Sequence, residues 1–311
     1  MRPRYSIVIP VYEEEALLGQ LYERLAAVLD GLDGPAEMIF VVDGGEDRSF
    51  EIVKELRGRD ERVKGIRFSR NFGHQYALTA GLDRAQGEAV IMMDGDLQHP
   101  PELIPTLVEK WRAGAQIVNT YRASTAGIGL VKRVTAAVFY GLLNRFGTIR
   151  LSANAADFRL IDRKVADSFG GIREQARFLR GLFAWVGFRQ AVVPYAAAER
   201  PAGRAKYSAR KMGRLALDGM TSFSVAPLRL ATVLGSVVLF LGLAYAVYAL
   251  VVKLAGRAAP GWTSLIIVVL ILGGVQLVTL GLIGEYIAKM YLEAKRRPLY
   301  IVDESVGLEE E

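Results

Sequence analysis

Two carboxylates one residue apart, Asp94 and Asp96, stand in the run Asp94-Gly95-Asp96-Leu97-Gln98-His99-Pro100-Pro101-Glu102. An apolar stretch over residues 88–93 precedes them. A proline pair followed by an acid reads as a helix start behind them. The pair therefore sits where a strand becomes a loop. Side chains alternate along an extended backbone, so positions two apart can aim the same way. Two hard oxygen donors, with the amide oxygen of Gln98 beside them, suit Mg²⁺ or Mn²⁺, ions held by one or two carboxylates plus substrate phosphates. The competing reading is a loop with two solvated acids, and Asp-x-Asp alone does not exclude it. The surrounding elements weigh against it.

Residues 5–11 read as a buried strand, and Tyr12-Glu13-Glu14-Glu15 opens an amphipathic helix running to about residue 29. Further strands are predicted at 37–42, 63–68, 88–93 and 116–121, with helices at 48–57, 73–85 and 101–113. This alternation argues for a parallel sheet covered by helices. Such sheets bind ligands beyond the carboxyl ends of their strands. Asp43 follows the second strand, so it and the Asp94/Asp96 pair are expected to face one crevice. After residue 122 the pattern changes. Residues 130–146 and 208–223 read as basic amphipathic helices, carrying Lys132, Arg133 and Arg145 in the first and Arg210, Lys211 and Arg214 in the second. Such helices suit a core or a membrane surface. Short strands are predicted at 158–161 and 190–195.

Hydrophobic residues make up 51% of the 311, and the excess lies after Leu228. No charged residue occurs over 230–252 or 258–284, runs of 23 and 27 positions. Each is long enough to cross a bilayer. Lys and Arg crowd the outer ends, at Arg229 before and Lys289, Lys295, Arg296 and Arg297 after, against Lys253 and Arg257 between. The positive-inside rule then puts both termini in the cytoplasm. The expected organisation is a cytoplasmic α/β domain over 1–227 that includes the two basic helices. A two-helix anchor follows over 228–289, with spans of about 229–252 and 262–286, then a cytoplasmic tail over 290–311 that frays after Asp303. The absence of Cys excludes disulfides and thiolate metal sites, and only two histidines, His74 and His99, argue against structural zinc. Both histidines are expected to be structural, and Trp185 and Phe188 to pack. Met1-Arg2-Pro3-Arg4 leads directly into the first strand, with no secretory leader pattern. A net charge of +6 admits nucleic acid, anionic lipid or phosphorylated substrates.

Three stretches resemble the nucleotide-sugar motifs of family 2 glycosyltransferases: Ser6-Ile-Val-Ile-Pro-Val-Tyr-Glu-Glu-Glu15, Phe40-Val-Val-Asp-Gly-Gly-Glu-Asp47 and Asp94 to Glu102. Three more, starting at Asn154, Arg177 and Gly284, are similar to a narrower branch, the membrane-bound polyprenyl-phosphate glycosyltransferases. That branch includes dolichyl-phosphate mannose synthase and the bacterial undecaprenyl-phosphate glucosyltransferases, and the chain looks nearer the latter. The resemblance implies an inverting GT-A fold, a nucleotide-sugar donor with UDP-glucose favoured, Mg²⁺ or Mn²⁺, and undecaprenyl phosphate as acceptor. It also implies a homo-oligomer in the cytoplasmic membrane with no nucleic-acid partner.

Carried over residue by residue, Pro10, Tyr12, Glu14, Asp43, Asp94 and Gly95 would hold the nucleotide sugar, and Asp43 would read the base. Asp94, Asp96 and Gln98 would meet the metal, with Asp96 and Asp157 catalytic. Asp157 would either position the acceptor phosphate through a cation or act as base. Arg122, Arg133, Arg200 and Lys206 would take the acceptor phosphate. Two departures stand out: Val42 occupies the first acidic position of the usual Asp-Asp-Gly-Ser, and Glu13 replaces the usual Asn. The alternatives are a GDP-mannose enzyme, a processive polysaccharide synthase, against which the missing Gln-x-x-Arg-Trp signature argues, and a non-catalytic membrane scaffold.

Overall fold

A computed structural model describes residues 2–122, 155–195, 226–255 and 261–308. The two basic helices expected at 130–146 and 208–223, with Arg133, Arg200 and Lys206, lie outside the described residues. The chain divides into two compact units. One is a sheet with its covering helices and takes in Pro298–Glu311; the other takes in Arg210–Arg297.

The sheet unit begins with β1 (Tyr5–Val11), α1 (Glu15–Asp30), β2 (Ala36–Val42), α2 (Ser49–Arg59), β3 (Val63–Phe68), α3 (His74–Arg84) and β4 (Ala89–Met92). A 3₁₀ turn at Pro101–Leu103 leads into α4 (Ile104–Arg112), then β5 (Ile117–Arg122). β6 (Ala155–Asp162), α5 (Arg163–Gly170), α6 (Leu179–Trp185) and β7 (Gln190–Tyr195) follow. Every residue of β1 and β2 is buried, as near-continuous apolar strands covered on both faces must be. Helix α1 buries Leu18, Leu21, Leu25 and Leu29, a stripe at spacings of three and four that lies on the sheet.

The sheet has eight strands in the order β7-β5-β6-β4-β1-β2-β3-β8. It is mixed, whereas the alternation of strands and helices predicted a parallel sheet. β1 to β4 are parallel to one another, but β6 runs antiparallel to both β4 and β5. The eighth strand overturns the expected frayed tail: β8 (Val302–Val306) pairs antiparallel with β3. Its acids have partners, Asp303 on Arg67 at 2.7 Å and Glu304 on Lys54 at 2.9 Å. The helices α5 and α6 were also absent from the sequence reading. Asp162 caps α5, accepting from Lys164 N at 3.0 Å. Trp185, expected to pack, ends α6 at 59% exposure.

The second unit contains α7 (Ala226–Leu254) and α8 (Trp262–Ala294). Ala231–Leu254 and Ile271–Ala294 are long and apolar enough to cross a membrane, and neither is buried inside the protein. At 1.5 Å per residue, 24 residues reach about 36 Å, more than a hydrocarbon core of about 30 Å.

Candidate active site

Strand register assembles the site. Val11 pairs with Val42 across β1 and β2, and Val8 with Met92 across β1 and β4, so the parallel strands end on one side. Tyr12, Asp43 and Asp94 leave from those ends. On the other flank Met92 pairs with Arg159 of antiparallel β6. Two residues past that last pair lie Asp94 on one side and Asp157 on the other, 63 positions apart in sequence.

The Asp94–His99 loop is held rigidly. Gly95 lies over β1, where an added Cβ would stand 3.2 Å from the Pro10 carbonyl oxygen. Pro10 itself sits beyond the last β1–β4 pair, so its missing N–H costs the sheet no bond on that side. Leu97 is buried with φ of +60°, a left-handed conformation costly for a branched side chain. Asp96 is 8% exposed and accepts from Gln98 N at 3.1 Å. Asp94 N donates to His99 Nδ1 at 2.9 Å, which puts the imidazole proton on Nε2. His99 is buried, stacked on Phe158 at 5.2 Å, and burial pushes its pKa down despite Asp94 and Asp96 nearby. His99 is thus a neutral strut under the loop.

Asp94 Oδ1 is buried with no hydrogen-bond partner. Among the described residues no cluster of three or more metal-ligating side chains occurs. Both observations fit a Mg²⁺ or Mn²⁺ ion held by Asp94 and Asp96 and completed by substrate phosphates, rather than a cage supplied by the protein alone. Gln98, expected beside the metal, has its amide oxygen accepting from Arg122 Nη2 at 3.0 Å. Arg122 also donates to the Tyr195 hydroxyl at 3.2 Å, so in this conformation it braces the loop.

Asp43 is buried, and its carboxylate accepts from Phe72 N at 2.7 Å and Gly73 N at 2.9 Å. Burial raises its pKa against those two amides. The expected base reader therefore fixes the 70–73 loop in this conformation. Gly44 allows the approach: its φ is +67°, and a Cβ there would lie 2.6 Å from the backbone of Arg70 and Asn71. Tyr12 is 40% exposed beside it, and Glu14 stands at the start of α1 with its N–H on Ser49 Oγ at 3.3 Å.

Asp157 lies within β6, not at a cap. Arg180, from α6, forks onto it with Nε–Oδ1 at 2.8 Å and Nη2–Oδ2 at 2.7 Å. Arg159 Nη2 stands 3.4 Å from Oδ1. Burial alone would raise the Asp157 pKa, but Arg180, then Arg159 and His74, hold it well below the usual carboxylate range. Such a carboxylate is a weak proton acceptor. Burial lowers the Arg159 pKa to about 10, which leaves it a cation at neutral pH. His74, expected to be structural, is the residue the sequence reading missed. As the first residue of α3 it sits 3.5 Å from Asp94 Oδ1 and 3.9 Å from Asp157 Oδ2, between the two carboxylates. Its place follows from Gly73, whose amide Asp43 holds.

The family model for glycosyl transferase family 2 matches residues 6–170, and that for the GtrB C-terminal hairpin matches residues 226–290. The glycosyltransferase YkcC of Bacillus subtilis is 47% identical over 98% of this chain and 95% of its own. The SfII prophage-derived bactoprenol glucosyl transferase of Shigella flexneri is 40% identical over 97% of this chain and 98% of its own. Among solved structures, the mannosyltransferase PcManGT from Pyrobaculum calidifontis gives a TM-score of 0.46 at 19% identity, covering 69% of this chain and 61% of that one. A likeness that distant adds nothing to the assignment. With one family model spanning more than half the chain and relatives aligned almost end to end, the protein belongs to glycosyl transferase family 2 and is a glycosyltransferase with a GtrB-type C-terminal hairpin.

Proposed function

We propose that the enzyme transfers a hexose, with UDP-glucose the favoured donor, to undecaprenyl phosphate, with inversion at the anomeric carbon. The observation that carries this reading is a charge division between neighbouring strands: an acidic pair in the loop that follows β4, and an arginine-clamped carboxylate on β6. The bactoprenol glucosyl transferase at 40% identity and the two exposed apolar helices support the lipid acceptor. The acidic side suits a nucleoside diphosphate accompanied by a divalent cation. That cation, held by Asp94 and Asp96, would supply Lewis-acid stabilisation of the leaving diphosphate.

The protein's own work is alignment. A phosphate monoester is already an anionic nucleophile, so transfer needs orientation more than proton removal. Tyr12 and Glu14 border the nucleotide crevice, Asp43 shapes its far wall, and His99 with Arg122 stops the acidic loop from drifting. Asp157 and its arginines draw the acceptor phosphate toward the sugar. In a panel of nucleotide sugars tested with undecaprenyl phosphate, UDP-glucose should give the most butanol-extractable, acid-labile product. Product formed only from GDP-mannose would replace this reading with the mannose-synthase one, and a long water-soluble polymer would favour a processive synthase.

We further propose that the sheet unit is cytoplasmic and the connection between α7 and α8 external, as the flanking Lys and Arg require. The chain has no Cys to interfere with labelling. A Cys replacing Gly256 should react with an impermeant maleimide on intact cells, and a Cys replacing exposed Arg59 should react only after lysis. Equal labelling of both before lysis would refute this topology.

A further inference from the structure

The stretch Arg177 to Arg189 carries part of the branch resemblance. Its helix, α6, brings Arg180 to Asp157. On the β4 side, Asp94 and Asp96 contribute two negative charges, which a divalent cation balances. On the β6 side, Arg159 and Arg180 contribute two positive charges against the single negative charge of Asp157. Two guanidiniums converge there on one carboxylate, and a phosphate monoester is the group in this reaction that such donors attract.

The two guanidiniums are not equivalent. Arg159 is 2% exposed, donates to the Ala156 carbonyl at 3.0 Å, and lies over the Phe183 ring with 4.5 Å to its centroid. It is packed from behind and cannot turn outward. The Arg180 side chain is 36% exposed, and its two-point fork with Asp157 fixes the guanidinium plane. Planar, preoriented guanidinium is the side chain suited to phosphate.

Building on the polyprenyl-phosphate reading, we infer that Arg180 binds the acceptor phosphate and that Asp157 serves as a positioning residue acting through Arg180. A purely structural ion pair would cost stability when broken and leave the acceptor KM where it was.

The test uses full-length enzyme in detergent with the most active nucleotide sugar of the panel, Mn²⁺ and undecaprenyl phosphate. Donor binding by titration calorimetry reports whether each variant keeps its crevice. Arg180→Gln should raise the acceptor KM by about tenfold or more, with donor Kd within about threefold of wild type. Arg180→Lys, which keeps the charge but loses the fork, should fall between the two. Asp157→Asn should raise the same KM, and the double variant should be no worse than Arg180→Gln alone, because the two act as a unit. An unchanged acceptor KM in Arg180→Gln overturns the inference. So does an Asp157→Asn loss confined to kcat and fully additive with Arg180→Gln, which is the behaviour of an independent base. If Arg180→Gln no longer binds donor, Arg180→Lys decides: a raised acceptor KM supports the inference and an unchanged one overturns it. A wild type that binds donor but gives no lipid product overturns the underlying reading, and the Arg180 role with it.

Discussion

Asp96→Asn should lower sugar transfer by about a hundredfold or more while leaving the fold intact, since losing one preorganised charge at a reacting centre commonly costs that much. The side chain is 8% exposed, and one of its oxygens accepts from Gln98 N. An asparagine keeps that acceptor, so the turn survives while one negative charge is lost. Asp94 is a less clean target, because its Oδ1 is buried without a partner and an amide there would add an unpaired polar group. Initial rates against Mn²⁺ concentration, with donor binding measured on the same sample, separate loss of metal from loss of fold. Wild type in excess EDTA should fall to a comparable rate. A variant within about threefold of wild type at saturating Mn²⁺, or a wild type indifferent to EDTA, would remove the metal from the mechanism.

Removing Pro298–Glu311 should destabilise the sheet unit by roughly 3–5 kcal/mol, a large share of the roughly 5–15 kcal/mol that holds a domain folded. The segment buries Leu299, stacks Tyr300 on Phe68 at 5.1 Å, and sends the Tyr300 hydroxyl to Asp83 at 2.7 Å. Ser69 N donates to Ile301 O at 3.1 Å, and β8 covers the edge of β3. Without it, β3 becomes an exposed edge open to pairing with other chains. Asp303→Asn with Glu304→Gln should instead cost under about 1 kcal/mol, because both ion pairs are partly solvated. Thermal unfolding in detergent compares the three proteins. The truncation should lower Tm by roughly 6–20 °C, using about 2–4 °C per kcal/mol for a unit of this size. A truncated protein melting within about 2 °C of wild type would show that β8 contributes little.

The parts of the molecule that follow one periodicity were legible in the sequence. β1 to β4 and α1 to α3 alternate cleanly, and each element lies within three residues of its expected place. Asp43 and the Asp94/Asp96 pair reach one side because parallel strands end together. What escaped was long-range. β8 reads as Val-Asp-Glu-Ser-Val, with acids where a strand pattern wants apolar residues. Those acids make sense only beside Arg67 and Lys54, more than two hundred positions earlier. The contact of Gln98 with Arg122 was not legible either, since nothing local to Gln98 announces Arg122. His74 offered no signal of its own, since a histidine opening a helix is ordinary until Asp43 and β6 set its neighbours. Arg180 lies within a segment that resemblance singled out, but its fork depends on the strand that carries Asp157.

The antiparallel pairing of β4 with β6 makes the reach of the reaction a property of a hydrogen-bond ladder. Asp94 and Asp157 each lie two residues past the last pair of that ladder, Met92 with Arg159. Neighbouring strands keep a spacing of about 4.8 Å whatever side chains they carry. The chain between β5 and β6 can therefore gain or lose residues without altering the spacing of β4 and β6. A slip by one residue would turn every side chain of β6 to the opposite face, so the register cannot be tuned gradually. Relatives that accept a different sugar must then differ in the side chains and loops that rim the crevice, with the ladder beneath unchanged. Mapping donor preference onto those rims, while the Met92–Arg159 pairing stays constant, is the pattern this architecture dictates.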